Sequence, residues 1–221
     1  MRTSAIRSPF ANPMEFSDRP TVKIDVALMD ESQSMEELGF EHGSSKKQTV
    51  DKAIKNHIKV RHDLYPDDFL AIVGYSDEAE LCCRLVNVRD DFRQLMAGLK
   101  AAKKMSGGTC IAAGLRIAQD ILLKRPSCLV IPGVNVITRV LAYSDGEDAS
   151  IAEARRLATE LKSRGVLIET FGIGLDRKHV DEKFLRQIAS ETNGFVHYRF
   201  LGDGDEVLNA FEELAHGTLT I

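Results

Sequence analysis

Short apolar runs and amphipathic segments alternate along most of this chain. The first run, Val22 to Met29, begins with alternating apolar and polar residues and is apolar on both faces in its second half. That pattern is typical of a central strand that is covered on two sides. Asp30 would then lie at the carboxyl end of a buried strand.

The segments after this strand predict a regular series of elements. A helix begins at a capping box formed by Ser45 and Gln48, and two strands joined by a tight turn follow it, one antiparallel to the other. Helices and strands then alternate to the end of the pattern. The predicted bounds are helix 45–63, strands 69–75 and 79–85, helices 91–103 and 110–124, strand 135–143, helix 151–164, strand 166–173, helix 180–192, strand 195–200 and helix 206–216.

Strands that alternate with helices in this way predict an α/β fold. We expect a Rossmann-like, doubly wound, mostly parallel sheet of six strands, with one antiparallel edge strand and helices on both faces. In such folds ligands gather at the carboxyl ends of the strands, near the point where the strand order reverses. Polar residues that directly follow predicted strands are therefore the first candidates for a site.

The composition fits one globular domain. With 221 residues, of which 43% are hydrophobic and 28% charged, the chain is long enough to bury a full core. Residues 1–20 hold three of the six prolines and show no periodic pattern. We therefore expect a poorly ordered N-terminal arm over residues 1–20 and a single domain over residues 21–221.

Charge and hydropathy argue against two classes of partner. The 33 acidic and 29 basic residues are well mixed and give a net charge of -4, so nothing indicates nucleic-acid binding. The sequence has no apolar stretch long enough for a membrane span and no apolar core of a signal peptide near its N-terminus. The four cysteines form no metal-binding or disulfide pattern. We predict a cytoplasmic protein with buried free thiols.

Three separated segments carry small oxygen-bearing side chains at the expected ligand-binding edge. Asp30, Ser32 and Ser34 follow the first strand, Thr109 follows a Gly-Gly pair, and Asp145 follows a later strand. Because residues two apart in an extended loop point to the same side, the first three can direct a carboxylate and two hydroxyls at one centre. Such hard, mostly uncharged oxygen ligands suit Mg²⁺ or Mn²⁺, with Ca²⁺ as a third option.

Each segment alone also has a purely structural interpretation. Asp and Ser after a strand satisfy free backbone groups in turns, Thr109 could be the N-cap of the next helix, and Asp145-Gly146 is a common turn pair. The metal hypothesis depends on the three segments meeting at one edge of the sheet.

The same segments resemble the von Willebrand factor type A domain family. Asp30-Glu-Ser-Gln-Ser34 fits the family's D-x-S-x-S signature, Gly107-Gly-Thr-Cys-Ile-Ala-Ala-Gly-Leu115 resembles its threonine loop, and Ser144-Asp-Gly-Glu-Asp148 resembles its T-D-G-x-D motif. The resemblance covers about residues 23–216. It implies the fold expected above, in a bacterial-type, stand-alone intracellular member.

The resemblance also implies a metal-ion-dependent adhesion site in which every ligand position is occupied. The ion would be held by Asp30, directly or through water, and by Ser32, Ser34, Thr109 and Asp145. If the two carboxylates do not both bind it directly, the ion keeps excess positive charge for an acidic side chain of a partner protein. Stand-alone intracellular members often work beside ATPases or in larger assemblies, so a partner of that kind is implied.

Some residues depart from the family pattern. Gln33 stands where the family commonly has Gly, and Ser144 replaces the usual Thr. Arg139 lies in a strand that is normally apolar, so we expect that part of the strand to be exposed or Arg139 to pair with an acid. The acidic loop 36–42 is a candidate to compete for the metal or to shape the partner surface.

Two other functions stay open at this point. A Mg²⁺-dependent phosphatase or phosphotransferase of Rossmann-like fold also places an aspartate after its first strand, but it usually has a second acid where Ser32 stands here. Nucleotide binding would rest on Gly107-Gly108 or Gly172-Ile-Gly174, and neither completes a phosphate-binding pattern. Since no convincing nucleophile or acid–base set is present, a non-catalytic binding module is favoured.

Overall fold

The computed structural model describes residues 20–37, 40, 44–102, 107–124, 133–145, 148 and 150–216. Apart from Pro20, the expected N-terminal arm lies outside these residues, as does Cys128. The division into an arm and a single domain over residues 21–221 therefore stays a prediction.

The described residues contain eight strands and six α-helices, most of them within two residues of the predicted bounds. The strands are β1 (Thr21–Asp30), β2 (Phe69–Tyr75), β3 (Ala79–Asn87), β4 (Asn135–Ser144), β5 (Leu167–Ile173), β6 (Glu191–Thr192), β7 (Phe195–Val196) and β8 (Tyr198–Leu201). The helices are α1 (Lys46–Leu64), α2 (Phe92–Ala102), α3 (Ile111–Leu123), α4 (Ile151–Ser163), α5 (Glu182–Ile188) and α6 (Gly204–His216).

Six of the strands form one mixed sheet in the order β3-β2-β1-β4-β5-β8. The strands are parallel except for β3, which lies antiparallel to β2 at one edge. This confirms the predicted fold class. The strand order reverses between β1 and β4, so the carboxyl ends of these two neighbours form the expected ligand-binding position.

Helices cover both faces of the sheet. On one face α3, α4 and α5 share a hydrophobic core with alternate residues of β1, among them Ile24, Val26 and Leu28. On the other face α1, α2 and α6 share a second core with Ala27 and Met29. Burial on both faces explains why the second half of β1 is apolar throughout, and it fixes the register that places Asp30 at the end of the strand.

The predicted helix over residues 180–192 and the strand over residues 195–200 are wrong in their bounds. Helix α5 ends at Ile188, and β6 and β7 form a short antiparallel hairpin before β8 begins. Asn193 and Gly194, which join the two strands, have φ angles of 53° and 81°. An Asn-Gly pair with two positive φ angles is the preferred two-residue hairpin turn, and this local signal outweighs the helical spacing.

Arg139 is buried in β4 and paired with acids, which confirms the second of the two expectations for this residue. Its Nε and Nη2 donate to the two carboxylate oxygens of Asp25 on β1, at 2.9 and 2.7 Å. Its Nη1 donates to Glu169 on β5 at 3.2 Å, and Arg61 of α1 donates to Asp25 at 3.0 Å. A network of buried charges therefore crosses the middle of the sheet.

No helix in the described part of the chain has the length and apolarity needed to cross a membrane.

The three cysteines of the described residues, Cys82, Cys83 and Cys110, are free, as predicted, although only Cys83 is fully buried.

Candidate metal centre

The ends of β1 and β4 bring two carboxylates to the same edge of the sheet. Asp30 is the last residue of β1, Asp145 directly follows β4, and the pairing of Met29 with Tyr143 aligns the two strand ends. Each aspartate is only 3% exposed. The hydroxyl of Ser144 donates to Asp30 Oδ2 at 2.9 Å, so the strand next to β1 also fixes the Asp30 carboxylate.

A chain of hydrogen bonds links the two carboxylates through the predicted serines. The Ser32 amide donates to Asp30 Oδ1 at 2.9 Å, and the hydroxyls of Ser32 and Ser34 are hydrogen-bonded at 3.1 Å. The Ser34 hydroxyl donates to Asp145 Oδ1 at 2.7 Å. Four of the five predicted site residues therefore lie in direct contact.

The loop that carries the serines is less extended than predicted. Gln33 to Glu36 form one turn of 3₁₀ helix, and the Met35 amide donates to Ser32 O at 3.1 Å. Burial of the Met35 side chain in the core favours this turn over an extended chain. The two serine hydroxyls still meet, because the turn begins after Ser32.

The Thr109 loop is tied to the serine loop through the backbone. The Gln33 amide donates to Gly107 O at 2.9 Å, and Thr109 follows two residues later, half-buried. Within the described residues, its hydroxyl makes no hydrogen bond to the other four predicted site residues. Cys110 is the N-cap of α3, so the interpretation of Thr109 as that N-cap is wrong.

Asp77, in the turn between β2 and β3, holds the Gly107-Gly108 pair. Its Oδ1 accepts from the Gly108 amide at 3.0 Å. Gly107 has a φ of 139°, and a Cβ there would lie 2.4 Å from Asp77 Oδ2. Glycine is thus required at this close approach. The pattern marked residues 76–78 only as a turn, so sequence reasoning missed the role of Asp77.

Asp148 links the start of α3 to the segment that follows β4. Its Oδ2 accepts from the Ile111 amide at the start of α3, and its Oδ1 accepts from the amide and hydroxyl of Ser150. Asp148 therefore fixes the start of α3, and with it the Thr109 loop, to the segment after Asp145.

The sequence model of the von Willebrand factor type A (VWA) domain matches residues 26–213. The chain belongs to that family. The match includes all three segments of the candidate site and runs from the middle of β1 into the last helix. Domains of this family typically mediate protein–protein interaction, which favours a binding module over the phosphatase or phosphotransferase of the alternative hypothesis.

Solved structures share the fold of the VWA domain at low sequence identity. The pilus adhesin SpaC from Lactobacillus rhamnosus GG is 16% identical, with a TM-score of 0.67, over 90% of this chain and 30% of the adhesin chain. A von Willebrand factor type A protein from Catenulispora acidiphila is 23% identical, with a TM-score of 0.63, over 89% of this chain and 42% of that chain. The manganese-loaded TRAP protein of Plasmodium vivax is 20% identical, with a TM-score of 0.60, over 88% and 73% of the two chains.

These likenesses establish the fold alone. The VWA domain spans less than half the length of the first two of these proteins. No curated protein matches its sequence.

A lysine at the start of α1 reaches the centre of the candidate site. Lys46 Nζ lies 2.6 Å from Asp145 Oδ2 and 3.3 Å from Ser34 O. Its side chain is 12% exposed. Lys46 is an additional site residue that sequence reasoning missed. One signal could have found it, because the first turn of a helix disfavours positive charge unless an acid lies nearby.

The next residue, Lys47, anchors the other side of the serine loop. Lys47 Nζ lies 2.6 Å from Glu31 Oε2 and 3.0 Å from Glu36 Oε1. Glu31 is buried beside Asp30, and burial raises its pKa to about 7, against the opposing effect of Lys47. The two consecutive lysines therefore lie on either side of the serine loop, where Lys46 contacts Asp145 and Lys47 contacts Glu31 and Glu36. Of the acidic loop 36–42, residues 38, 39 and 41–42 lie outside the described part.

The electrostatics of the edge favour a bound cation. Burial raises the pKa of Asp30 to about 6, and the nearby Asp145 charge adds to this effect, while the hydrogen bonds from Ser32 and Ser144 oppose it. Among the described residues, all the groups that donate to Asp30 are neutral. A positive charge close to Asp30 would therefore stabilise its ionised form.

The donor set fits a hard divalent ion. Among the described residues, no three His, Cys, Asp or Glu side chains form a metal-binding group. That finding does not exclude a set made of two carboxylates and three hydroxyls. Mg²⁺ and Mn²⁺ accept oxygen ligands with few charges, together with water. The hydroxyls of Ser32 and Ser34, which are two of these ligands, already lie in contact.

Proposed function

We propose that the VWA domain is a protein-interaction module that binds Mg²⁺ or Mn²⁺ and presents the ion to an acidic side chain of a partner protein. The ligands would be Asp30, Ser32, Ser34, Thr109 and Asp145. In this role the ion bridges two proteins and takes no part in a reaction.

The observation that carries the proposal is a shortage of positive charge around two buried carboxylates. Asp145 has one ammonium beside it, that of Lys46. Asp30, at the same edge, receives hydrogen bonds from Ser32 and Ser144, which are neutral groups, and no ion pair of Asp30 occurs among the described residues. Buried carboxylates normally have a charged partner or a metal, because removal of an ion from water is costly. A divalent cation between the two strand ends would supply that charge.

The same ligand set explains why the ion would attract an acid. The hydroxyls of Ser32, Ser34 and Thr109 are neutral, so the ion keeps positive charge as long as Asp30 and Asp145 do not both coordinate it directly and one of them acts through water. A carboxylate of another protein can neutralise that charge at an open coordination position. The manganese-loaded TRAP structure and the SpaC pilus adhesin support the proposal by analogy of fold. A cytoplasmic location, and a partner such as an ATPase or a larger assembly, remain parts of the proposal.

The proposal is tested by thermal unfolding with Mn²⁺ and with a chelator. A ligand that binds only the native state stabilises it by about 2.7 kcal/mol at a hundred times its Kd. We expect Mn²⁺ to raise the Tm of the wild type and of Asp120→Asn, which changes an exposed carboxylate on α3. Asp145→Asn should lose the shift. Equal shifts in all three proteins would contradict the proposed ligands.

Binding of an acidic partner needs a second measurement. Partners retained by the wild-type domain in Mn²⁺ should be released by the chelator and should not be retained by Asp145→Asn. If the same proteins remain bound in both cases, an interaction through the ion is the wrong mechanism.

A further inference from the structure

We propose that Lys46 is a built-in counter-ion of the metal centre, which a divalent cation must displace from Asp145 when it binds. This inference rests on the proposed metal site and adds a residue that regulates its affinity. The ammonium of Lys46 lies beside Asp145, one of the proposed ligands, at a position to which the family resemblance assigns no lysine.

The contacts of Asp145 show why lysine and metal would compete. Oδ1 accepts from the Ser34 hydroxyl at 2.7 Å, and Oδ2 lies 2.6 Å from Lys46 Nζ. The same ammonium lies 3.3 Å from Ser34 O. Both oxygens of this carboxylate are therefore engaged. A divalent ion coordinated by Asp145 would stand close to the ammonium, and the two positive charges would repel each other.

The surroundings of Lys46 offer the displaced ammonium another position. Glu37 Oε2 lies 3.9 Å from Lys46 Nζ, and the Glu37 side chain is 73% exposed. The Lys46 amide donates to Glu37 O at 3.4 Å, which keeps the two residues adjacent. Because lysine has a flexible four-carbon stem, the ammonium can leave Asp145 for Glu37 while α1 stays in place.

Lys47 provides a matched comparison at the neighbouring position. Its side chain is also shielded, at 7% exposed, and its ammonium also pairs with two acids, here Glu31 and Glu36 of the serine loop. Those acids, Glu31 and Glu36, are not proposed metal ligands. Replacement of Lys47 therefore removes one positive charge from the same helix turn, while the contact between Lys46 and Asp145 stays in place.

The arrangement predicts a site that stays neutralised without metal and responds to the concentration of the divalent ion. In the absence of metal, Lys46 stabilises the buried charge of Asp145. When the ion binds, part of its binding free energy is used to displace Lys46. Competition of this kind lowers metal affinity, and removal of the competitor raises it by a coupling factor typically of about 5- to 150-fold.

The test is a calorimetric titration with Mn²⁺ of the wild type, Lys46→Met and Lys47→Met. We expect the Kd of Lys46→Met to fall by about tenfold and that of Lys47→Met to change by less than about threefold. The Tm in chelator should fall in Lys46→Met, since Asp145 loses its counter-ion, and the rise with Mn²⁺ should exceed that of the wild type.

A second pair of variants keeps the test valid if Lys46→Met does not fold without metal. Glu37→Gln removes the alternative position for the ammonium and should weaken Mn²⁺ binding. Glu36→Gln changes the neighbouring exposed acid, which pairs with Lys47, and should weaken binding less. Both side chains are more than half exposed, at 73% and 58%, so neither change should disturb the core.

The outcomes separate this inference from the proposed function. If the wild type binds Mn²⁺ but Lys46→Met binds no more tightly, the competition is wrong and the metal site stands. Equal gains in Lys46→Met and Lys47→Met would show a general effect of charge and also overturn it. If none of the proteins binds Mn²⁺, the proposed site fails, and the inference fails with it.

Discussion

The sheet contains two clusters of buried carboxylates that differ in how their charge is neutralised. In the middle of the sheet Asp25 is fully buried and receives hydrogen bonds from Arg139 and Arg61. At the carboxyl edge Asp30 accepts from neutral groups of Ser32 and Ser144, and Asp145 accepts from the Ser34 hydroxyl and from one lysine ammonium, that of Lys46. The central cluster has rigid guanidinium partners in fixed geometry, whereas the edge cluster has small neutral donors and one flexible cation.

The pKa values of the two aspartates on β1 show the consequence. Burial acts to raise the pKa of Asp25, but the charges of Arg139 and Arg61 outweigh it and hold the pKa well below its ordinary value. Burial also raises the pKa of Asp30, and here it prevails, to about 6. The pKa values of two acids on one strand are thus shifted in opposite directions. Asp25 is therefore neutralised by its arginines, whereas Asp30 at the edge is open to a further cation.

The largest effect should come from removing a guanidinium of the central cluster. Arg139→Met leaves Asp25 with one arginine and Glu169 without its ion pair. Loss of one partner of a buried ion pair typically lowers the free energy of unfolding by about 3–5 kcal/mol. Urea unfolding measures the loss, with Arg156→Met on the exposed face of α4 as control. A similar small loss in both variants would mean that the central network does not stabilise the fold.

The second effect is the loss of stability in acid through His57, a buried neighbour of the central cluster. Burial and the charge of Arg61 lower its pKa to about 3. Below the unfolded pKa of about 6.5, the unfolded chain binds a proton that the folded domain does not, so stability falls as the pH decreases toward about 3. Between pH 6.5 and 5 the loss should reach about 2 kcal/mol.

The acid effect is measured by urea unfolding at a series of pH values in the wild type and in His57→Gln. The variant should be less stable at neutral pH, because His57 Nδ1 is hydrogen-bonded to Phe211 O. Its stability should also depend less on pH. The same slope in both proteins would show that His57 is not the group responsible.

A third effect tests the positioning of the Thr109 loop at the edge. Asp77→Ala removes the acceptor that holds the Gly108 amide. It should weaken Mn²⁺ binding by about tenfold, as the loss of a residue that positions a metal ligand often does. Asp77→Asn keeps an acceptor oxygen and should restore most of the affinity. Calorimetry provides both values. Unchanged affinity in Asp77→Ala would indicate that Thr109 contributes little to the site.

The smallest effect concerns the hydroxyl that contacts Asp30. Ser144→Ala removes the hydrogen bond to Asp30 Oδ2, which should lower the free energy of unfolding in chelator by about 1 kcal/mol. Ser144→Thr keeps a hydroxyl and should lie closer to the wild type. Urea unfolding of the three proteins makes the comparison, and a loss in Ser144→Thr as large as that in Ser144→Ala would count against the hydrogen bond.

Local patterns in the sequence predict most of the fold and the placement of most of the site. The apolar run of β1 ends at Asp30 and that of β4 ends at Ser144, so the parallel sheet alone brings Asp30 and Asp145 together. Ser32 and Ser34 lie close enough to Asp30 along the chain to follow it. These residues are placed by element ends and short loops, which periodicity and turn chemistry determine.

Residues placed by tertiary contact were not predictable in the same way. Lys46 and Asp77 reach the site from a helix and a turn far along the chain, and nothing in their spacing selects the partners they meet. The partner of Arg139 was open for the same reason, although its place in an apolar strand indicated that an acid was needed. The Asn193-Gly194 hairpin is different, because its turn signal is local and competes with the helical spacing of the residues before it.

The difference between the two clusters can be observed in a crystal structure of the domain grown with Mn²⁺ and measured for anomalous scattering. We expect an anomalous peak bounded by Asp30, Ser32, Ser34 and Asp145, with Lys46 Nζ displaced from Asp145 Oδ2. No peak should occur beside Asp25, whose arginines are fixed. An edge without a peak at saturating Mn²⁺, with Lys46 still bound to Asp145, would contradict a metal centre at this edge.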